Sequence, residues 1–263
     1  MSERPLETGW LPDTPVDDSL LRRFAFNQAD VNAAWADAAG GRVQRDDEVA
    51  LSDTGGPVPY YNQALLLRPL TGADDPVLAA AESFFGAGPA GRPVTMLSMW
   101  PTADLTARGW SLVGHPMLVA RGPWGDATRA GDTELVRLLA ADEVGEFERV
   151  IVEGYPVPEA VGAPVGTVAP PGLIERGVRL RVGLVDGAPV AAGAGYVGRG
   201  VVNLCSAATL PAARRKGVWG ALVRARMSDG PDLPAVAFTS DFSRPGFVHM
   251  GFLPITRLTM WAR

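Results

Sequence analysis

The chain is short of the residues that hold metals and disulfides. Among 263 residues there is one cysteine, Cys205, and two histidines, His115 and His249. A single thiol excludes an intrachain disulfide and any paired-cysteine metal site. Two histidines without an HExxH spacing give no reason to expect zinc, and no metal is expected. Positive charge is not in excess: 24 Lys and Arg stand against 29 Asp and Glu, a net charge of −5. A global basic footprint for nucleic acid is therefore excluded. No apolar run approaches the roughly 18 residues of a membrane span. The first residues lack a charged start followed by an apolar run, so no secretory leader is expected and the expected location is cytoplasmic. What is present is an ordinary globular balance, 47% hydrophobic and 20% charged.

Residues 1–17 are polar, proline-bearing and aperiodic, and read as a loose arm. Residues 18–121 read as a first unit. Its helix, Asp18–Ala38, carries Leu20, Leu21, Phe24, Phe26, Val31 and Trp35 broadly on one side. Strands follow near Glu48–Ser52 and Asn62–Leu70, then a helix opened by Asp75-Pro76, with an acidic cap and a proline in its first turn. Pro93–Trp100 and Trp110–Arg121 read as further strands. The glycine-rich stretch 122–132 reads as a linker. Residues 133–263 form a second unit: a helix over Asp142–Glu153, a proline-rich loop through Tyr155 and Pro158, three strands (Val178–Val185, Val190–Val197, Val201–Leu210), a helix from Val218, and strands over Ala235–Asp241 and Leu253–Trp261. A short helix near Arg244–Met250 separates the last two. Alternating strands and helices give an α/β (α+β) fold.

The densest chemical signal is Thr209-Leu-Pro-Ala-Ala-Arg-Arg-Lys-Gly-Val-Trp-Gly220. Arg214, Arg215 and Lys216 stand directly before Gly217, which opens a helix after a hydrophobic strand. Free backbone N–H groups and the helix dipole make such a turn an anion site suited to phosphate. The alternative is a helix start that happens to carry surface arginines. A shift of 142 residues lays Val94–Arg121 on Val236–Arg263 without a gap, matching Gly109-Trp110 to Gly251-Phe252 and Ala120-Arg121 to Ala262-Arg263. The pattern points to an internal duplication. The first copy has Thr71-Gly-Ala-Asp-Asp75 in place of the glycine turn, an acidic segment that would repel a pyrophosphate. One ligand site is therefore expected, in the second half.

The second half resembles the GNAT N-acetyltransferase superfamily from about Leu135 to Arg263. The resemblance rests on the element order, on the motif V-x-P-x-x-[QR]-x-x-G-x-[GA] carried here by Thr209, Pro211, Arg214, Gly217 and Trp219, and on the ending Phe247-Val-His-Met-Gly-Phe252, similar to Y-x-x-x-G-F. The first half resembles a degenerate copy, as in tandem members. The resemblance implies two mixed-sheet halves and acetyl-CoA or another acyl-CoA as donor; the first expectation for the acceptor is the primary amine of a small molecule. It implies pantetheine along Ala207, Ala208 and Thr209, pyrophosphate on the amides of Arg214, Arg215, Lys216, Gly217, Val218, Trp219 and Gly220, and Ser243 near the pantetheine. Thr209 stands where valine is usual. Trp219 replaces a small residue; its ring either crowds the pyrophosphate or turns into the core. Oligomeric state, monomer or homodimer, is not legible.

Transfer to an amine needs a neutral amine, and a primary amine of pKa about 10.4 is mostly protonated at pH 7. The candidates to take its proton are Asp241, ending its strand, and His249, on the last short helix; Glu148 and Glu153 are further ones. Asn203 sits near where some members carry a glutamate, and an amide is no base. Phe247 stands where the resemblance places a tyrosine that protonates the leaving thiolate. Cys205 has no basic partner nearby and reads as a buried strand cysteine. These losses support a second expectation, an acyl-CoA-binding regulatory protein without turnover.

Overall fold

The computed structural model describes residues 19–88, 91–129, 131–155 and 157–263. The expected arm 1–17 lies outside them, as does Pro156 of the proline-rich loop. The first half runs α1 (Leu20–Ala38), β1 (Arg42–Arg45), β2 (Val49–Asp53), β3 (Gln63–Leu66), α2 (Pro76–Gly86), β4 (Thr95–Ser98), β5 (Ser111–Gly114) and β6 (Met117–Arg121). The second runs α3 (Asp132–Leu135), β7 (Val136–Leu138), α4 (Val144–Gly154), β8 (Val178–Val185), β9 (Ala188–Gly198), β10 (Val201–Thr209), α5 (Val218–Met227), β11 (Ala235–Thr239), α6 (Arg244–His249), β12 (Leu253–Arg257) and β13 (Thr259–Ala262).

These strands form two mixed sheets, in the orders β1-β2-β3-β4-β13-β5 and β7-β8-β9-β10-β11-β6-β12. Among the described residues only β3–β4 and β10–β11 pair in parallel. The last strands are exchanged. β6, from the first half, lies between β11 and β12 of the second sheet. β13, from the second half, lies between β4 and β5 of the first. A shift of 142 residues carries Ser111 onto Leu253 and Met117 onto Thr259, the first residues of the matching strands. The segment 122–132 therefore does not separate the sheets, and a break at 121 would leave each short of a strand.

Two long strands expected from the sequence prove to be four. Trp110–Arg121 breaks at His115-Pro116 because Pro116 has no N–H for a ladder. Leu253–Trp261 breaks at Leu258, whose N–H instead bonds the Pro116 carbonyl at 2.9 Å. The two breaks are where the exchanged segments cross. Asp132, expected in the linker, instead starts α3 and is buried, pairing with Arg224 of α5 at 2.7 and 2.8 Å.

α1 has no solvent face of the usual width, because both sheets pack against it. Phe24, Ala25 and Ala29 join a cluster with Leu65, Leu97, Val201 and Val236, while Val31, Ala34 and Trp35 join one with Phe147, Leu180 and Val182. Its buried amides consequently partner one another. Asn203 Nδ2 donates to Gln28, Gln28 to Asn32, Asn32 to Gln63 and Gln63 to Thr95, a chain of 2.8–3.3 Å bonds running from the second sheet to the first. Buried polar groups left without partners would cost far more than these bonds contribute.

Candidate functional site

β10 pairs with β9 along its length but with β11 only at Val202 and Asn203. Beyond Asn203 the parallel strands part. The backbone groups of Leu204–Thr209 facing that side then have no strand partner among the described residues. A bulge between Cys205 and Ala207 sharpens the bend, with Ser206 in left-handed φ of 43°. Arg226 of α5 lies fully buried beneath it and donates through Nη1 to the carbonyls of Ala194 and Cys205 at 3.2 and 3.4 Å. Its charge thus serves carbonyls at the bulge, and burial lowers its pKa to about 10.

The parting opens a cavity of about 400 Å³. Ser206, Ala207, Thr239 and Phe247 line it from the second half, and Tyr60, Tyr61 and His115 from the first. The first half is thus a wall of the site. Tyr61 stacks on Trp35 with ring centroids 5.0 Å apart and donates to Ser206 Oγ at 3.3 Å. The Tyr60 and Tyr155 hydroxyls lie 3.5 Å apart. Burial raises the pKa of both Tyr60 and Tyr61, keeping their hydroxyls protonated. A larger depression, about 610 Å³, sits at the C-terminal end of α2, where helix carbonyls disfavour an anion.

At the end of β10 the chain turns through Pro211–Ala213 into α5. Gly217 precedes the helix with φ of 82°, and an added Cβ there would meet nothing; conformation, not space, is what calls for glycine. Arg215 is also left-handed, φ 64°. Arg214, Arg215 and Lys216 are exposed, and among the described residues none has a salt bridge. Arg214 Nε donates to the Thr209 carbonyl at 3.3 Å. The Trp219 ring packs edge-on against Phe247, centroids 5.0 Å apart, and so close to Gly246 that a Cβ there would lie 3.0 Å from it. The ring therefore rests on α6 rather than over the turn. Ala208 is buried, 3.1 Å from where a Cβ on Gly154 of α4 would sit, while Ala207 is exposed toward the cavity.

The candidate proton acceptors fall in different places. Asp241 borders the cavity, but Arg257 at 2.9 Å and Arg244 at 3.1 Å hold its carboxylate. The Arg257 hydrogen bond, foremost, lowers its pKa, which makes it a weak base. His249 is exposed at the end of α6 and is not a cavity wall. Glu148 accepts from the N–H groups of Gly166, Val168 and Ala169 at 2.6–2.8 Å, so it fastens a loop. Glu153 pairs with Arg149. Ser243 lines the cavity and bonds Ser240 at the start of α6. Cys205 is free and buried, its thiol pushed up to about 12 by burial, so it stays protonated and a poor nucleophile. Phe247 packs in the core between Trp219 and Phe252. Sequence reading missed Tyr60, Tyr61 and His115, because nothing local tells that first-half residues reach a second-half cleft.

No family model and no curated protein matches the chain by sequence. Solved structures do match it over nearly its whole length. A GCN5-related N-acetyltransferase from Kribbella flavida superposes with TM-score 0.56 at 17% identity, covering 89% of this chain and 95% of that one. A GNAT-family protein from Novosphingobium aromaticivorans gives 0.58 at 14%, covering 90% and 97%. A conserved protein of unknown function from Staphylococcus epidermidis gives 0.59 at 10%, covering 84% and 92%. At such identities the likeness speaks for the fold. The chain has the mixed-sheet acyl-CoA N-acyltransferase fold of GNAT proteins, in a two-sheet arrangement.

Proposed function

We propose that the chain is an acyl-CoA-dependent N-acyltransferase that moves an acetyl group from acetyl-CoA to the primary amine of a small molecule. One observation carries the reading: the unpaired inner edge of β10 runs directly into an open helix N-terminus ringed by three cations. Pantetheine has two amides, and an unpaired edge offers the carbonyls and N–H groups to receive them at Ala207–Thr209. The pyrophosphate then meets the amides of Gly217, Val218, Trp219 and Gly220 with Arg214, Arg215 and Lys216 alongside. The thioester falls in the cavity, next to Ser206 and Phe238.

The cavity wall supports the acceptor class. Its one carboxylate, Asp241, is already shared by two arginines. A polycation would find no further countercharge there. An amine on a compact, apolar or aromatic body fits the tyrosines, Phe238 and Met260 better. Phe247 cannot protonate the leaving thiolate, which favours a second reading, donor binding without turnover. The two are separated by one pair of measurements: calorimetric titration with acetyl-CoA, then thiol release against a panel of amines. Binding near 10 µM with steady CoA release is expected, an affinity of roughly −7 kcal/mol. Absence of binding at high micromolar donor sinks both readings, and binding without release leaves the second.

A further inference from the structure

We propose that His115 is the group that takes the acceptor's proton, brought to the second half's cleft by the strand exchange; this rests on the acyltransferase reading. His115 occupies the turn between β5 and β6, where the chain leaves the first sheet for the second. The opposite crossing, between β12 and β13, lies against it. Arg257 Nη1 donates to the His115 carbonyl at 2.7 Å, and Leu258 N donates to the Pro116 carbonyl at 2.9 Å. The imidazole joins the same knot: its Nδ1 is 3.2 Å from the Leu258 carbonyl oxygen. A carbonyl only accepts, so Nδ1 carries the hydrogen and the neutral ring has its lone pair at Nε2. His115 is exposed and lines the cavity. A backbone that is clamped twice and a ring held by its own bond make a fixed tautomer at the mouth of the reaction space.

The charged groups tied to it are Arg257, which donates to its carbonyl, and Asp241, which Arg257 and Arg244 hold at 2.9 and 3.1 Å. Arg257 consumes the basicity of Asp241 and leaves His115 the imidazole with a free acceptor on that wall. Arg257 and Arg244 already offset the charge of Asp241, so that wall does not hold an incoming ammonium in its charged form, which favours passing its proton to the imidazole and on to solvent.

The step balances without another reactant. The acceptor arrives as an ammonium, and one proton passes to Nε2 of His115. The freed lone pair attacks the thioester carbonyl carbon. The C–N bond forms, the C–S bond breaks, and the electron pair leaves on sulfur. A second proton from the new amide nitrogen goes to the thiolate through water. The imidazolium then returns its proton to solvent, so the products are amide, CoA thiol and one proton.

The test uses the whole chain, His115→Gln and His115→Ala, with acetyl-CoA and a small arylalkylamine such as 2-phenylethylamine. Acetyl-CoA affinity is expected within about twofold of wild type in both variants, a binding control that a merely structural residue would not pass. kcat is expected to fall roughly 100-fold with KM little changed, in the range of a lost general base. Added imidazole should restore His115→Ala at least roughly tenfold. A His115→Gln kcat within about threefold of wild type overturns the assignment and leaves the acyltransferase reading standing. Loss of donor binding in the variants also overturns it, as evidence of a structural role. If wild type binds acetyl-CoA and acetylates no amine, His115 has no reaction to serve and the assignment fails. If wild type binds no acetyl-CoA at all, the acyltransferase reading itself falls.

Discussion

α2 and α5 leave the two sheets at matching places, each after the central parallel strand of its half, yet their N-termini are closed in opposite ways. At α2 the anion is built in. The Asp75 carboxylate accepts from the N–H of Thr71 and Val77 at 2.8 and 3.0 Å, from the Thr71 hydroxyl at 2.9 Å and from Arg68 at 2.7 and 3.0 Å. At α5 the corresponding place is held by Gly217, with no carboxylate and three exposed cations around it. A helix N-terminus attracts negative charge in either case. The first half meets that demand from its own chain and gains stability. The second leaves it unmet, which is the condition for taking a phosphate from solution.

Attacks on this contrast range from large to small. The largest effect is expected where the halves are least separable. Trp261 of β13 is buried among Leu66, Leu78 and Met96 of the first half, its Nε1 bonded to Thr102 Oγ1 at 2.9 Å. Trp261→Ala should cost about 4 kcal/mol in urea unfolding. It should do so in one transition seen by probes in both halves; separate transitions would make the halves independent after all. Next comes Asp75→Ala, which strips a cap and leaves Arg68 facing an empty place, for about 3 kcal/mol, with acetyl-CoA affinity unchanged. Its acid behaviour follows from sign. Arg68, foremost, depresses the folded pKa of Asp75 below its unfolded value. The stabilisation is thus full above the ordinary carboxylate range and lost as pH falls below about 4. Acid unfolding should be flatter in Asp75→Asn. The smallest stability change but the sharpest test is Gly217→Asp, which gives the second turn the first turn's chemistry. Acetyl-CoA affinity should fall roughly 100-fold, about 2.7 kcal/mol, while the melting temperature falls slightly because a side chain is strained at φ of 82°. Unchanged affinity would place the donor elsewhere.

How much of this could be read from the sequence depended on range. Asp75-Pro76 and Gly217-Val218 announced both helix starts, since caps and prolines act through neighbours. Val178–Val185 was legible to its ends, because Asp186 and Gly187 supply the left-handed turn its hairpin needs. The repeat was legible too, and its 142-residue offset matches β5 to β12 and β6 to β13. What the sequence hid was which sheet each matched strand joins: two copies of one pattern are interchangeable, and the choice lies in pairings over long separations. The breaks at Pro116 and Leu258 were the only local trace. α1 was misread as one-sided because Asn27, Gln28 and Asn32 are polar yet serve as buried partners. For the proposed site, the glycine turn before α5 was legible as local geometry. The cavity wall was not, since Tyr60 and His115 reach it only through tertiary structure.

The exchange of β6 and β13 has a consequence for how the protein is made. A nascent chain ordinarily completes its first domain while the second is still being synthesised. Here the first sheet waits for Thr259–Ala262, made more than a hundred residues after β5, to fill the gap between β4 and β5. Until then β4 presents a bare edge and β5 lacks its strand partner, and the native pairing joins residues 146 to 167 positions apart (260 − 114 and 262 − 95), a topology that folds slowly. The same interlock works in reverse once folding is done. A protease that cuts within the glycine-rich segment after Arg121 severs the covalent link without freeing either half, because each fragment still holds a strand in the other's sheet.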